Sequence, residues 1–115
     1  MNQQVGRLGE QLVAKHFVEK GGRILGRNVS YPCGEIDLIV ELGTEVVFVE
    51  VKTRSTLAFG SAEAITPSKF HRMKRAAAQW LNGQPLRNVR FDAVVVDLSA
   101  DEEITHYEGI ECGAR

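Results

Sequence analysis

The apolar positions of the chain change period several times, and each change marks an element. Over residues 5–19 they fall at Val5, Leu8, Leu12, Val13 and Phe17, three- and four-residue steps that predict an amphipathic helix. Gly21-Gly22 then supplies the stop, because glycine closes helices in conformations that other residues disfavour. Residues 23–31 and 35–40 are strand-like, and Pro32-Cys33-Gly34 between them reads as a turn. After a second turn at Leu42-Gly43-Thr44, residues 45–53 are β-branched and aromatic, the composition of a central strand. A loop containing glycine and alanine follows. Thr66-Pro67 then joins an N-cap to a proline at the first helical position and opens a helix to Leu81, closed by Asn82-Gly83. Residues 89–98 read as a buried strand and Glu103–Tyr107 as a short edge strand.

The predicted order is therefore α-β-β-β-α-β-β, an α/β class. The two most apolar strands need cover on both faces, which calls for helices on either side of a mixed sheet. A length of 115 residues at 43% hydrophobic content suits one core and is too short for two ordinary domains, so the expectation is a single domain over 1–115 with its core at about 5–98. Residues 1–10 have no apolar run, and no stretch approaches the roughly 20 apolar residues of a membrane span; the expected location is cytoplasmic, without membrane contact. Cys33 and Cys112 stand apart with no partner at zinc-ligand spacing, which predicts two reduced, structural thiols.

A net charge of -1 hides an uneven distribution. Residues 67–90 carry six basic and no acidic side chains, whereas residues 34–66 carry two basic and six acidic, and residues 91–115 one and seven. A basic block beside an acidic cluster suits a protein that holds a phosphate backbone on one surface and a divalent cation in a pocket. It equally suits a salt-bridged surface.

The chemistry concentrates in Phe48-Val49-Glu50-Val51-Lys52. Alternate residues of a strand share a face, so Glu50 and Lys52 project together, roughly 6 to 7 Å apart, while Val49 and Val51 face the other way. Ionised groups in an apolar strand cost several kcal/mol each unless compensated, so the pair is either a structural ion pair or a binding site. Asp37 lies 13 residues before Glu50, and a hairpin turning at Leu42-Gly43-Thr44 folds the two carboxylates together. Their repulsion is relieved by Mg2+ or Mn2+, and Mg2+ needs only one or two carboxylates beside waters and phosphate oxygens. Glu10 sits on the flank of the first helix's apolar stripe, with Gly6 and Gly9 beside it permitting a close approach to another backbone. It is expected to point towards the sheet.

The segments Gly6-Arg7-Leu8-Gly9-Glu10, Arg27-Asn28, Gly34-Glu35-Ile36-Asp37-Leu38-Ile39, residues 48–54 (Phe-Val-Glu-Val-Lys-Thr-Arg) and Thr66-Pro67-Ser68-Lys69 together resemble the YraN-like family of small bacterial proteins. The resemblance spans roughly residues 5–98. It implies a restriction-endonuclease-like fold of the PD-(D/E)xK superfamily, similar to Holliday-junction resolvases. Under it, Asp37 matches the metal-binding aspartate, Glu50 the second acidic ligand, Lys52 the motif lysine and Glu10 the helical acid of resolvase-like members, with the Val51 carbonyl as a further metal ligand. Ile36 stands where the superfamily name expects proline.

The expected reaction is hydrolysis of a DNA phosphodiester. A cation at Asp37 and Glu50 lowers the pKa of a bound water, and Lys52 orients that water. Glu35 is a candidate for a second cation or a water, against the simpler role of a solvated residue beside a turn. The acid-free helix with Lys69, Arg72, Lys74 and Arg75, aided by Arg7, Arg27 and Arg54, is the candidate surface for the phosphate backbone. The resemblance points to branched or junction DNA, and to a homodimer, because a four-way junction needs two cuts. The competing readings are a non-catalytic nucleic-acid-binding or partner-recruiting module on the same fold, and a structural protein in which Glu50 and Lys52 form a buried ion pair. His16, His71 and His106 read as surface or capping residues, Trp80 as core, and Asp92 and Asp97 as markers of strand ends.

Overall fold

The computed structural model describes residues 3–54, 65–99 and 103–110, without the side chains of residues 3 and 4. Cys112 and the loop after the third strand lie outside the described residues. The elements are α1 (Gln3–Glu19), β1 (Arg23–Tyr31), β2 (Gly34–Leu42), β3 (Glu45–Arg54), α2 (Pro67–Leu81), β4 (Asn88–Asp97) and β5 (Glu103–Tyr107). This is the α-β-β-β-α-β-β order read from the sequence, with boundaries shifted by a residue or two.

The strands form one sheet in the order β1-β2-β3-β4-β5. Leu42 pairs with Glu45 across a two-residue turn in which Gly43 takes a φ of 64°, a left-handed conformation that favours glycine. β3 and β4 are parallel, and the other neighbours are antiparallel. Parallel neighbours need a crossover, and α2 provides it. Thr66 caps α2 by accepting the Lys69 backbone N–H at 3.1 Å, and Pro67 opens it.

Each helix covers one face. Val13, Ala14 and Phe17 of α1 pack on Leu38, Val40, Val47, Val49, Val94 and Val96. Phe70, Met73, Ala76 and Ala77 of α2 pack on Ile36, Ile39, Val46 and Phe48. Trp80 meets the Phe48 ring edge-on at 5.8 Å between centroids, so it belongs to the core side as expected. Leu8, expected in the apolar stripe of α1, is 42% exposed. Gly9 faces the sheet instead, and a Cβ there would lie 1.9 Å from Thr53 Oγ1. The missing side chain lets the first turns of α1 lie directly against the end of β3.

Three other expectations are corrected. Asp92 lies inside β4 and is fully buried rather than marking its end, whereas Asp97 is the terminal residue expected. His16 and His106 are half-buried and join a side-chain network rather than standing free on the surface: their Nε2 and Nδ1 atoms share a 3.1 Å hydrogen bond, and His106 Nε2 lies 2.7 Å from Asp92 Oδ2. A neutral chain of donors fits this spacing, with His16 Nε2–H donating to His106 Nδ1 and His106 Nε2–H donating to the carboxylate. Arg90 adds two hydrogen bonds of 2.9 Å and the Gly109 N–H one of 3.0 Å. Burial alone would raise the Asp92 pKa, but these donors and the Arg90 charge outweigh it and hold the carboxyl below its ordinary value. Burial, with the neighbouring His106 and Lys20, lowers the His16 pKa.

Asp92→Ala leaves a half-buried guanidinium and a largely buried imidazole without their shared partner. Urea unfolding is expected to show a loss of about 3 to 5 kcal/mol; a loss under about 1 kcal/mol would mean that the network contributes no more than a surface ion pair.

Candidate active site

β1 and β2 depart from regular alternation at the same level. Arg27 pairs with Leu38 and Val29 with Ile36, so Asn28 and Asp37 face each other across the ladder. Asn28 takes a φ of 50°. As a result Ile36 packs in the α2 layer and Leu38 in the α1 layer, although regular alternation would put both on one face. The β2–β3 pairing runs only from Leu42↔Glu45 to Leu38↔Val49. Beyond it the strands part, and Asp37 Oδ2 accepts the Val51 backbone N–H at 2.8 Å. The side chain thus occupies the place of the next ladder bond and is held at the open end of the sheet.

Three carboxylates act on Asp37 there. Burial, the Glu50 charge, and the Glu10 and Glu35 charges together push its pKa up to about 7, against the lowering effect of the Val51 N–H. Glu10 reaches this point from α1, one residue after the Gly9 contact with Thr53. Glu50 reaches it from β3 on the α2 side, where its side chain is 11% exposed and lies 2.7 Å from Lys69 Nζ. Burial alone would lower the Lys69 pKa, but the hydrogen bond and charge of Glu50, with Asp37 and Glu35 behind it, raise it.

Lys52 projects on the Glu50 side of β3 and is exposed. Beside Glu50 lies a cleft of about 270 Å3 between the β1–β2 turn and α2, lined by Tyr31, Glu35, Lys69, Arg72 and Met73 among others. A Cβ on Gly34 would lie 2.4 Å from the Arg72 carbonyl oxygen, so glycine is what lets the turn sit this close to the helix. The cationic residues divide into groups. Lys69 joins the acids, while Arg72, exposed, hydrogen-bonds Ser68 at 3.2 Å and lines the cleft. Lys74 lies over the Phe70 ring at 5.1 Å, and Arg75, Arg27 and Arg7 are exposed. Arg54 is half-buried, and its Nε has no acceptor among the described residues.

Among the described residues no three His, Cys, Asp or Glu side chains converge tightly enough to enclose an ion alone. The donor set fits Mg2+ or Mn2+ nonetheless, since both favour oxygen ligands and Mg2+ retains much of its water. Asp37 Oδ1 has no hydrogen-bond partner among the described residues, and its raised pKa marks a carboxylate short of positive charge.

A family's sequence profile matches residues 9–96. The chain belongs to the uncharacterised protein family UPF0102. This is the YraN-like family whose motifs the sequence carries. UPF0102 proteins of Corynebacterium efficiens and Corynebacterium diphtheriae are 50% and 46% identical to it, covering 98% of this chain and 96% and 95% of theirs. A UPF0102 protein of Mycolicibacterium vanbaalenii is 43% identical over 93% of both chains. Among solved structures, SfsA of Pyrococcus furiosus in complex with Ca2+ aligns with a TM-score of 0.41 at 16% identity, covering 95% of this chain and 64% of that one. This chain therefore spans less than two thirds of the SfsA chain.

Sequence reasoning missed the place of Lys69 at Glu50 and the cluster of His16, His106 and Asp92. The signal for Asp92 was present: it is an acid inside an apolar strand, the same anomaly that singled out Glu50. Lys69 carried no such signal, since its pairing depends on how α2 lies over the sheet.

The Asp37 shift predicts a pH-dependent stability. A carboxyl whose folded-state pKa is raised from 3.8 to about 7 contributes stability that is full below about pH 4 and lost as pH rises through 7. Without divalent cation, Asp37→Asn is therefore expected to match wild type near pH 4 and to exceed it by on the order of 2 to 4 kcal/mol at about pH 8. Chemical denaturation at the two pH values checks this; equal stability at pH 8 would remove the argument for a charge-deficient carboxylate.

Proposed function

We propose that this chain is a cytoplasmic, divalent-cation-dependent endonuclease that hydrolyses DNA phosphodiester bonds, with branched or junction DNA as substrate. The observation that supports this reading is the under-compensated carboxylate group at the open end of the sheet. Asp37 is buried beside Glu50, with Glu10 and Glu35 adding to its charge burden. A surface made only to bind nucleic acid gains nothing from clustered acids, which repel phosphate.

In this reading Asp37 and Glu50 are the carboxylate ligands, with the Val51 carbonyl as a neutral donor and Glu10 acting from the facing helix. When bound, Mg2+ or Mn2+ supplies Lewis acidity that makes a water nucleophilic near neutral pH and polarises the phosphate. The Val51 N–H fixes the Asp37 carboxylate, so its second oxygen is presented in one orientation. Lys52, on the Glu50 side of β3, orients the attacking water and offsets charge developing on the phosphate. Arg72 at the cleft, with Lys74 and Arg75 further along α2 and Arg7, Arg27 and Arg54 elsewhere, contributes contacts to the backbone that position the substrate. A four-way junction has two strands to cut, so a homodimer matches that substrate.

Titration calorimetry with Mg2+ and Mn2+, paired with cleavage of branched DNA, tests the assignment. Wild type is expected to bind cation and cut, and Asp37→Ala with Glu50→Ala to do neither. Lys52→Ala is expected to keep cation affinity within about twofold while cleavage falls by about 100-fold or more. A wild-type protein that neither binds nor cuts would leave the alternative, a nucleic-acid-binding or partner-recruiting module on this fold.

A further inference from the structure

Glu50 and Lys52 are the acid and base that the sequence places on one strand face, and from the facing helix the ammonium of Lys69 lies 2.7 Å from Glu50. The position of Lys69 is set by its backbone. Its N–H is the donor that Thr66 accepts at the helix cap, and Pro67 opens the same turn. One turn later the β1–β2 turn rests on the Arg72 carbonyl at Gly34. The first two turns of α2 are thereby anchored at both ends, and Lys69 emerges from them over the end of β3.

Its side chain is nevertheless 47% exposed, against 11% for Glu50. An ammonium is a hydrated point charge on a flexible stem, so it can leave Glu50 for water without unpacking any core residue. Glu50 cannot leave, because it lies within a sheet strand whose Val46 and Phe48 are buried on the same face. A divalent cation that claims the Glu50 carboxylate therefore meets Lys69 already in place.

We infer that Lys69 is a built-in counter-cation that holds Glu50 until a divalent ion takes its place, so that cation binding and departure of the Lys69 ammonium are a single exchange. The inference rests on the cation site proposed above and adds a positioning residue that the carboxylate pattern does not contain. Before exchange, Lys69 offsets the repulsion that Glu50 adds to Asp37. After exchange, the ion does so. The metal-free and metal-bound chains then keep the same carboxylates in place, with different cations at Glu50.

Mn2+ calorimetry on wild type, Lys69→Met, Lys69→Arg and the Asp37→Ala, Glu50→Ala double variant tests the exchange. Removing a competing ammonium is expected to tighten Mn2+ binding about five- to tenfold in Lys69→Met, with Lys69→Arg close to wild type. By linkage the metal-free thermal midpoint of Lys69→Met falls, and saturating Mn2+ closes the gap to wild type. In wild type, the side-chain 13Cε resonance of Lys69 is expected to shift along the Mg2+ binding isotherm, a readout that depends on no variant. Binding in Lys69→Met that is equal to or weaker than wild type, or a Lys69 resonance that stays still while calorimetry records binding, overturns the exchange and leaves the cation site intact. Mn2+ binding by Lys69→Met alone would support it in its strongest form. Absence of binding in every protein would sink the cation site and the exchange together.

Discussion

A carboxylate placed in an apolar sheet must find compensating charge or give up its ionisation, and most of this structure is arranged around two answers to that constraint. Asp92 receives donors from Arg90, His106 and Gly109 on both of its oxygens, and its pKa is held down. Asp37 receives one backbone N–H and faces acids from α1, β2 and β3, and its pKa is held up. Both groups are aspartates in strands of one sheet. Burial pushes both pKa values upward; the donors around Asp92 outweigh it, whereas the acids around Asp37 add to it.

That contrast separates a structural site from a candidate reaction centre. A network with every lone pair used has no capacity for a ligand, and it ties β5 and α1 to β4. A carboxylate left short of positive charge costs stability, a cost that proteins accept where the missing charge is part of the function. The geometry that produces the shortfall is local and inexpensive. One left-handed residue, Asn28, and the parting of β2 from β3 beyond Leu38 turn Asp37 towards the Val51 N–H.

Two glycines bring the helices to this point. Gly9 lets α1 touch Thr53, which puts Glu10 within electrostatic reach of Asp37. Gly34 lets the β1–β2 turn touch α2, which closes one wall of the cleft at Arg72 and Lys69. In both places a side chain would hold the layers apart, and the acids and ammonium that now interact would be separated by water and screened. The packing of the two helices and the charge state of the centre are therefore linked.

By itself the sequence determined the element order, the hairpin turning at Leu42-Gly43-Thr44 that brings Asp37 beside Glu50, the capped start of α2 and the shared face of Glu50 and Lys52. Each of these follows from local rules: the period of apolar residues, the turn chemistry of glycine and proline, and the alternation of a strand. The tertiary structure alone decided that Lys69 reaches Glu50, that His16 and His106 join Asp92 in one part-buried network, and that Leu8 yields its place against the sheet to Gly9. These are contacts between elements distant in the chain, set by how helices dock on a twisted sheet, and a single-strand periodicity holds no information about that docking. Asp92 lies between the two cases. Its cost in an apolar strand could be read from the sequence, while the partners that meet the cost come from Arg90 of the same strand, from β5, from the turn after it and, through His16, from α1.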